Sequence, residues 1–193
     1  MFMLVRLKIL VEVKPQNFSE HEDQYIRNSI LGRFVDKVVL NVGLFIAIHH
    51  IDSVEQPSIF PGSGSYFTHV EFTAVVFRPF IGELIEGRIK CINQNEIRLS
   101  IRFFEDIFIE LPYSRGPTSS GPSIISGTLI YKDPKEGSNR KLAISEGDKC
   151  LVRVLKVKFN DVNLKLSKDK SISPLRVTAT ISEEGLGLVK SSG

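Results

Sequence analysis

Between residues 88 and 108 the chain sets Arg88, Lys90, Arg98 and Arg102 close to two rings, Phe104 and Phe108. Guanidinium and ammonium groups neutralise backbone phosphates, and an exposed ring can stack a base at roughly 1–3 kcal/mol without requiring a defined sequence. This interleaving suits single-stranded nucleic acid, and single-stranded RNA best. Each ring has a second reading, as a core or subunit-interface residue. A further basic stretch runs from Lys149 to Lys170, where seven basic groups face only Asp161 and Asp169, and it adds Lys156 and Lys158 to the candidate RNA-binding set. A solvated basic loop with no partner would have the same composition.

Bond-making chemistry has no comparable signature. His49 and His50 invite a metal, but successive residues of a regular strand point to opposite faces and cannot both reach one ion, so no metal is expected. His21 and His69 lack ligand spacing, and no Ser/His/Asp or Cys/His set stands out as a local motif. Cys91 and Cys150 are too few for a disulfide scaffold and lack the CxxC spacing, so free thiols in a reducing compartment are expected. The run Phe60-Pro61-Gly62-Ser63-Gly64-Ser65 is glycine-rich, but neither a following GK[ST] nor a helix start makes it a phosphate cradle. It reads as a turn between strands. Neither catalytic residues nor a cofactor is expected. No apolar run approaches the roughly 18 residues of a bilayer span, and the start MFMLVRLKIL has no small-residue cleavage site. The expectation is a chain neither secreted nor membrane-bound.

The elements that must carry these residues follow from composition and periodicity. With 42% apolar residues, 24% charged and a formal net charge of +3, the chain reads as an ordinary globular protein. Residues 1–80 hold 7 basic and 8 acidic groups and residues 81–193 hold 18 and 14, so the positive charge lies in the second part. Arg78-Pro79 stops an apolar strand, Phe72 to Phe77, because proline lacks the N–H that a ladder needs. Two domains, 1–80 and 81–193, are expected on either side. In the first, Met3, Val5, Leu7, Ile9, Val11 and Val13 keep the parity of a half-buried strand. Ser19 with Glu22 makes a capping box before Ile26, Ile30 and Phe34 on one helical face. Val38 to Ile48 reads as a strand apolar on both faces, which one helix cannot cover, so a neighbouring domain or partner chain is expected against it. The first domain is therefore α+β, an antiparallel sheet with one main helix.

In the second domain Ile85, Gly87, Ile89 and Cys91 share a parity, as do Ile97, Leu99 and Ile101, and then Ile107, Ile109 and Leu111. Three short antiparallel strands in this order begin an all-β barrel of the OB-fold type, with the cations on its outer face. Ser114 to Ser126, rich in Gly, Pro and Ser, reads as a flexible crossing, and Gly127 to Tyr131 resumes strand character. Lys149 to Phe159 is a fourth strand whose parity breaks near Val154, as a bulge would cause. First and fourth strands adjoin in such barrels, which would make Cys91 and Cys150 neighbours. Asn160 to Pro174 is a lysine-rich insertion before a closing strand, Arg176 to Ser182.

Several segments in this order resemble one family. KVVLNVG at Lys37 to Gly43, FPGSG at Phe60 to Gly64, VVFRPF at Val75 to Phe80, FFEDIFI at Phe103 to Ile109 and TISEEGLGL at Thr180 to Leu188 look like segments of the larger stalk subunit of eukaryotic RNA polymerase III, which is related to the seventh subunit of RNA polymerase II and to the corresponding archaeal stalk protein. The resemblance spans most of the chain. It implies a nuclear, non-catalytic subunit that pairs with a smaller helical subunit, docks on the polymerase III core and acts in initiation and contact with emerging RNA. It also implies that the loop Phe60, Pro61, Gly62, Ser63 and Gly64 lies at the tip that reaches the core. The crossing and the basic insertion are unlike the longer, more acidic segments of this subunit, so contacts made by those segments are not carried over. The other readings are a stalk subunit of another nuclear polymerase and a free-standing OB-fold protein that binds single-stranded RNA.

Overall fold

The structure, a computed structural model, describes residues 1–18, 21–59, 62, 64–93, 97–110, 123–125, 128–132, 141–160 and 173–189. The chain divides into two compact units, residues 1–78 and 79–193.

The first unit is an antiparallel sheet covered on one face by a helix. Its elements are β1 (Phe2–Val13), α1 (Glu22–Phe34), β2 (Val38–Val39), β3 (Gly43–Val54), β4 (Ser58–Ile59) and β5 (Tyr66–Phe77), with strand order β1-β5-β3-β2 and β4 paired to β5. β5 is central because it can be buried by both neighbours: Phe72, Ala74 and Val76 are fully enclosed. Against them pack Ile26 and Ile30 of α1, with Phe34 stacked on Phe45 at 5.7 Å between ring centroids. The helix starts at Glu22 behind His21, which makes no side-chain cap bond. The expected capping box is therefore not the one that starts it, and its Ser19 lies outside the described residues.

Val38 to Ile48 is not one strand. Asn41 adopts a left-handed φ of 61° in a tight turn, and the chain doubles back so that Val38 pairs Leu44 and Val39 pairs Gly43. β3 then departs from the two-residue period. Its partners on β5 are Phe45↔Val76, Ile48↔Ala74, Ile51↔Phe72 and Val54↔Val70, with register shifts between each. Ile46, His49 and Asp52 are extra residues in three successive bulges, so the helix face of the sheet receives every third residue. Bulges of this kind bend and twist a strand and blunt an exposed edge. That is why the segment looked apolar on both faces.

The second unit contains β6 (Leu84–Ile92), β7 (Ile97–Ile101), β8 (Phe104–Ile109), β12 (Lys149–Phe159) and β13 (Leu175–Thr180), ordered β13-β8-β7-β6-β12 and closed by pairing of β12 with β13. All pairs are antiparallel except β13 with β8. This is the closed five-stranded barrel of an OB-fold. Leu99, Ile107, Val152 and Val177 fill its interior. Gly87 is required there, since a Cβ would lie 2.8 Å from the Leu99 side chain and from the Ser100 carbonyl. β12 carries a register shift between Val154 and Lys156, and β14 (Gly187–Leu188) pairs with its start.

A small sheet joins the halves of the barrel sequence: β9 (Ser123–Ile125), β10 (Thr128–Lys132) and β11 (Lys141–Ile144), with Leu129 opposite Ile144, both buried. Part of the expected flexible crossing is thus strand, and its residues 114–122 and 126 lie outside the described residues, as does Leu111. Cys91 and Cys150 are both free thiols, but they are not neighbours. β6 does adjoin β12, yet Cys150 sits opposite Gly87, four residues from Cys91, about 13 Å along the strand.

Candidate nucleic-acid interface

Cross-strand partners share a face, so the register decides which side chains stand together. On β6 and β12, Arg88 is opposite Lys149 and next to Ser100 of β7. Arg88 and Lys90 are exposed; Arg88 Nη1 donates to the Gly147 carbonyl at 3.4 Å, and Lys90 is ion-paired with Glu105. Lys149 lies 3.5 Å from Glu86. Arg102 is exposed in the turn joining β7 to β8. Arg88, Lys90 and Arg102 are thus all exposed on the barrel, and Arg88 and Lys90 have partners within the chain.

Arg98, Lys156 and Lys158 belong to another part. A bulge between Ile89 and Cys91 reverses the parity of β6, which turns Ile92 inward opposite Ile97 and leaves Cys91 opposite Arg98. Across β8, Arg98 is opposite Phe108; across the parallel pair, Phe108 is opposite Thr178; and β12 brings Lys156 opposite Thr178 and Lys158 opposite Arg176. On this outer face Arg98 of β7, Arg176 of β13 and Lys156 and Lys158 of β12 lie around Phe108, while β8 itself contributes no cation. Arg176 is a member that the sequence reading missed. The signal was present, because Arg176, Thr178 and Thr180 alternate with Leu175, Val177 and Ala179 on the closing strand.

Phe104 and Phe108 do not offer faces for base stacking, being 6% and 4% exposed. A bulge in β8, between the pairs Ile101↔Phe104 and Leu99↔Ile107, puts Phe104 on the inner face with Ile101. Phe108 is on the outer face, but two guanidinium groups cover it: Arg176 Cζ lies 3.6 Å from the ring centroid and Arg98 Cζ 5.2 Å. Phe104 is thus a core residue, and Phe108 is buried on the outer face beneath two arginines. The basic insertion is anchored at its ends, where Asn160 N–H donates to the Pro174 carbonyl at 2.9 Å and Ser173 Oγ to Asp106 at 2.7 Å. Residues 161–172 lie outside the described residues.

Of the expected docking loop, Phe60, Pro61 and Ser63 lie outside the described residues. Gly62 and Gly64 have φ of 94° and 69°, which favours glycine at both, in the connection from β4 to β5. Ile59, just before it, is 76% exposed. The face of the first unit's sheet that points away from α1 is divided. Phe2 and Leu4 are exposed at one end, beside Ala47 and Val75, whereas the middle carries Arg6, Lys8, Asp52, Glu55 and Glu71 in ion pairs. His49 Nδ1 and His50 Nδ1 lie 2.6 Å apart, because His49 is a bulge residue. The alternation argument against their meeting fails at this position. The pair shares a hydrogen bond, and 2.6 Å is closer than the roughly 3.3 Å that two bonds of about 2.0 Å to a tetrahedral ion would set. Among the described residues no three His, Cys, Asp or Glu side chains are grouped to hold a metal, and no helix is long and apolar enough to cross a membrane.

Residues 8–64 match the family described as the SHS2 domain found in the N terminus of Rpb7p/Rpc25p/MJ0397. The chain is 30% identical over 180 residues to DNA-directed RNA polymerase III subunit RPC8 of Saccharomyces cerevisiae, covering 89% of this chain and 79% of the relative. It belongs to the RPC8 family of RNA polymerase III subunits. Within that family it is also 29% identical over 202 residues to the rpc8 subunit of Schizosaccharomyces pombe, covering 97% and 98% of the two chains. With rpc8 of Dictyostelium discoideum it shares 30% over 221 residues, covering 98% and 84%. Both units therefore fall within the matched length of these RPC8 relatives.

Proposed function

We propose that the chain is a non-catalytic stalk subunit of RNA polymerase III in the nucleus, acting in transcription initiation and in contact with emerging RNA. The near full-length match to RPC8 relatives carries this reading. The barrel supports its RNA arm: Arg98, Lys156 and Lys158 share one outer face, with Arg88, Lys90 and Arg102 elsewhere on the same barrel. Phosphates need only positive charge at the right spacing. Supporting its protein arm, the first unit leaves Phe2, Leu4 and Ile59 exposed, apolar surface of the kind a partner chain covers. One such partner is a smaller helical subunit, and the loop Phe60 to Gly64 then reaches the polymerase core. The chain makes and breaks no bonds of its own in this role.

Affinity purification of the tagged chain from native nuclear extract, with identification of the copurifying polypeptides, tests the assignment. The large subunits of RNA polymerase III and one small helical protein should be retained. A chain that elutes alone, or with the large subunits of another polymerase, refutes it.

A further inference from the structure

We draw no further inference here: the strongest candidate, the surface patch of exposed Phe2 and Leu4 on β1, the end strand of the first unit's sheet, is part of the partner-docking surface already described, and nothing in the structure shows which segment covers it.

Discussion

Gly87→Ala tests whether the barrel that presents these cations is as closely packed as its register requires. The added Cβ would stand 2.8 Å from both Cγ and Cδ2 of Leu99 and 2.8 Å from the Ser100 carbonyl oxygen, against an optimum of about 3.5–4.0 Å for carbon pairs. Leu99 is fully buried, and the carbonyl belongs to β7's backbone, which cannot swing aside as a side chain can. Overpacking of this kind costs about 1–3 kcal/mol. Relief of glycine's entropy in a strand returns roughly 0.5–1 kcal/mol. The difference of the mid-range values is a net loss of about 1.3 kcal/mol, within a span of about 0–2.5 kcal/mol, which for a unit of this size lowers Tm by roughly 4–8 °C at the mid-range value. Differential scanning calorimetry of the full chain reads the melting temperature, and hydrogen exchange of the β6 and β7 amides assigns the change to the barrel. A variant that melts at or above the wild-type temperature, with unchanged exchange in these strands, refutes close approach as the reason for glycine at this position.

Gly32 is the opposite case. It lies in α1 with nothing within 4 Å of where a Cβ would stand, so Gly32→Ala should raise stability by about 0.5–1 kcal/mol, seen as a higher urea midpoint. Burial, reinforced by the Asp148 carboxylate, pushes the Cys150 thiol up to about 12, so at pH 8 a thiol reagent should modify half-buried Cys91 first and Cys150 only after unfolding; rapid modification of Cys150 would contradict its enclosure. Acid should weaken the first unit through two carboxylates. Desolvation raises the Asp52 pKa, but the Thr73 hydroxyl, His50 and Arg6 outweigh it and hold it below 3.8; the Lys8 hydrogen bond holds Glu55 below 4.5 against desolvation. Both bind protons more readily when unfolded, so their stabilisation is complete above those values and is lost as pH falls through the lower folded values. Thermal melts between about pH 6 and pH 2.5 should show that Asp52→Asn with Glu55→Gln flattens the acid limb, and an unchanged limb counts against the network.

Much of the architecture was legible because regular strands write a period of two into the chain. Odd residues of β1 turn inward towards α1, Ile85 and Ile89 turn into the barrel, and Ile97, Leu99 and Ile101 do the same. The break in β12 near Val154 was legible for the same reason, since Val152 and Val154 are followed by Val157 at the wrong spacing. β9 was obscured because Gly, Pro and Ser dominate the residues before it. Phe104 and Phe108 looked equivalent, four residues apart on one strand, until a bulge between them sent one inside and left the other outside.

The amino-acid order by itself determined which segments extend, which one coils, where the positive charge collects and which family the chain resembles. It did not determine which side chains meet. A bulge is an extra residue measured against a partner strand, and one strand read alone contains no such measure. Only pairing with β5 made neighbours of His49 and His50, and only pairing of β8 with β7 and β13 brought Arg98 and Arg176 over one ring. The parity of a strand is local, whereas the register that assigns its faces belongs to the assembled sheet.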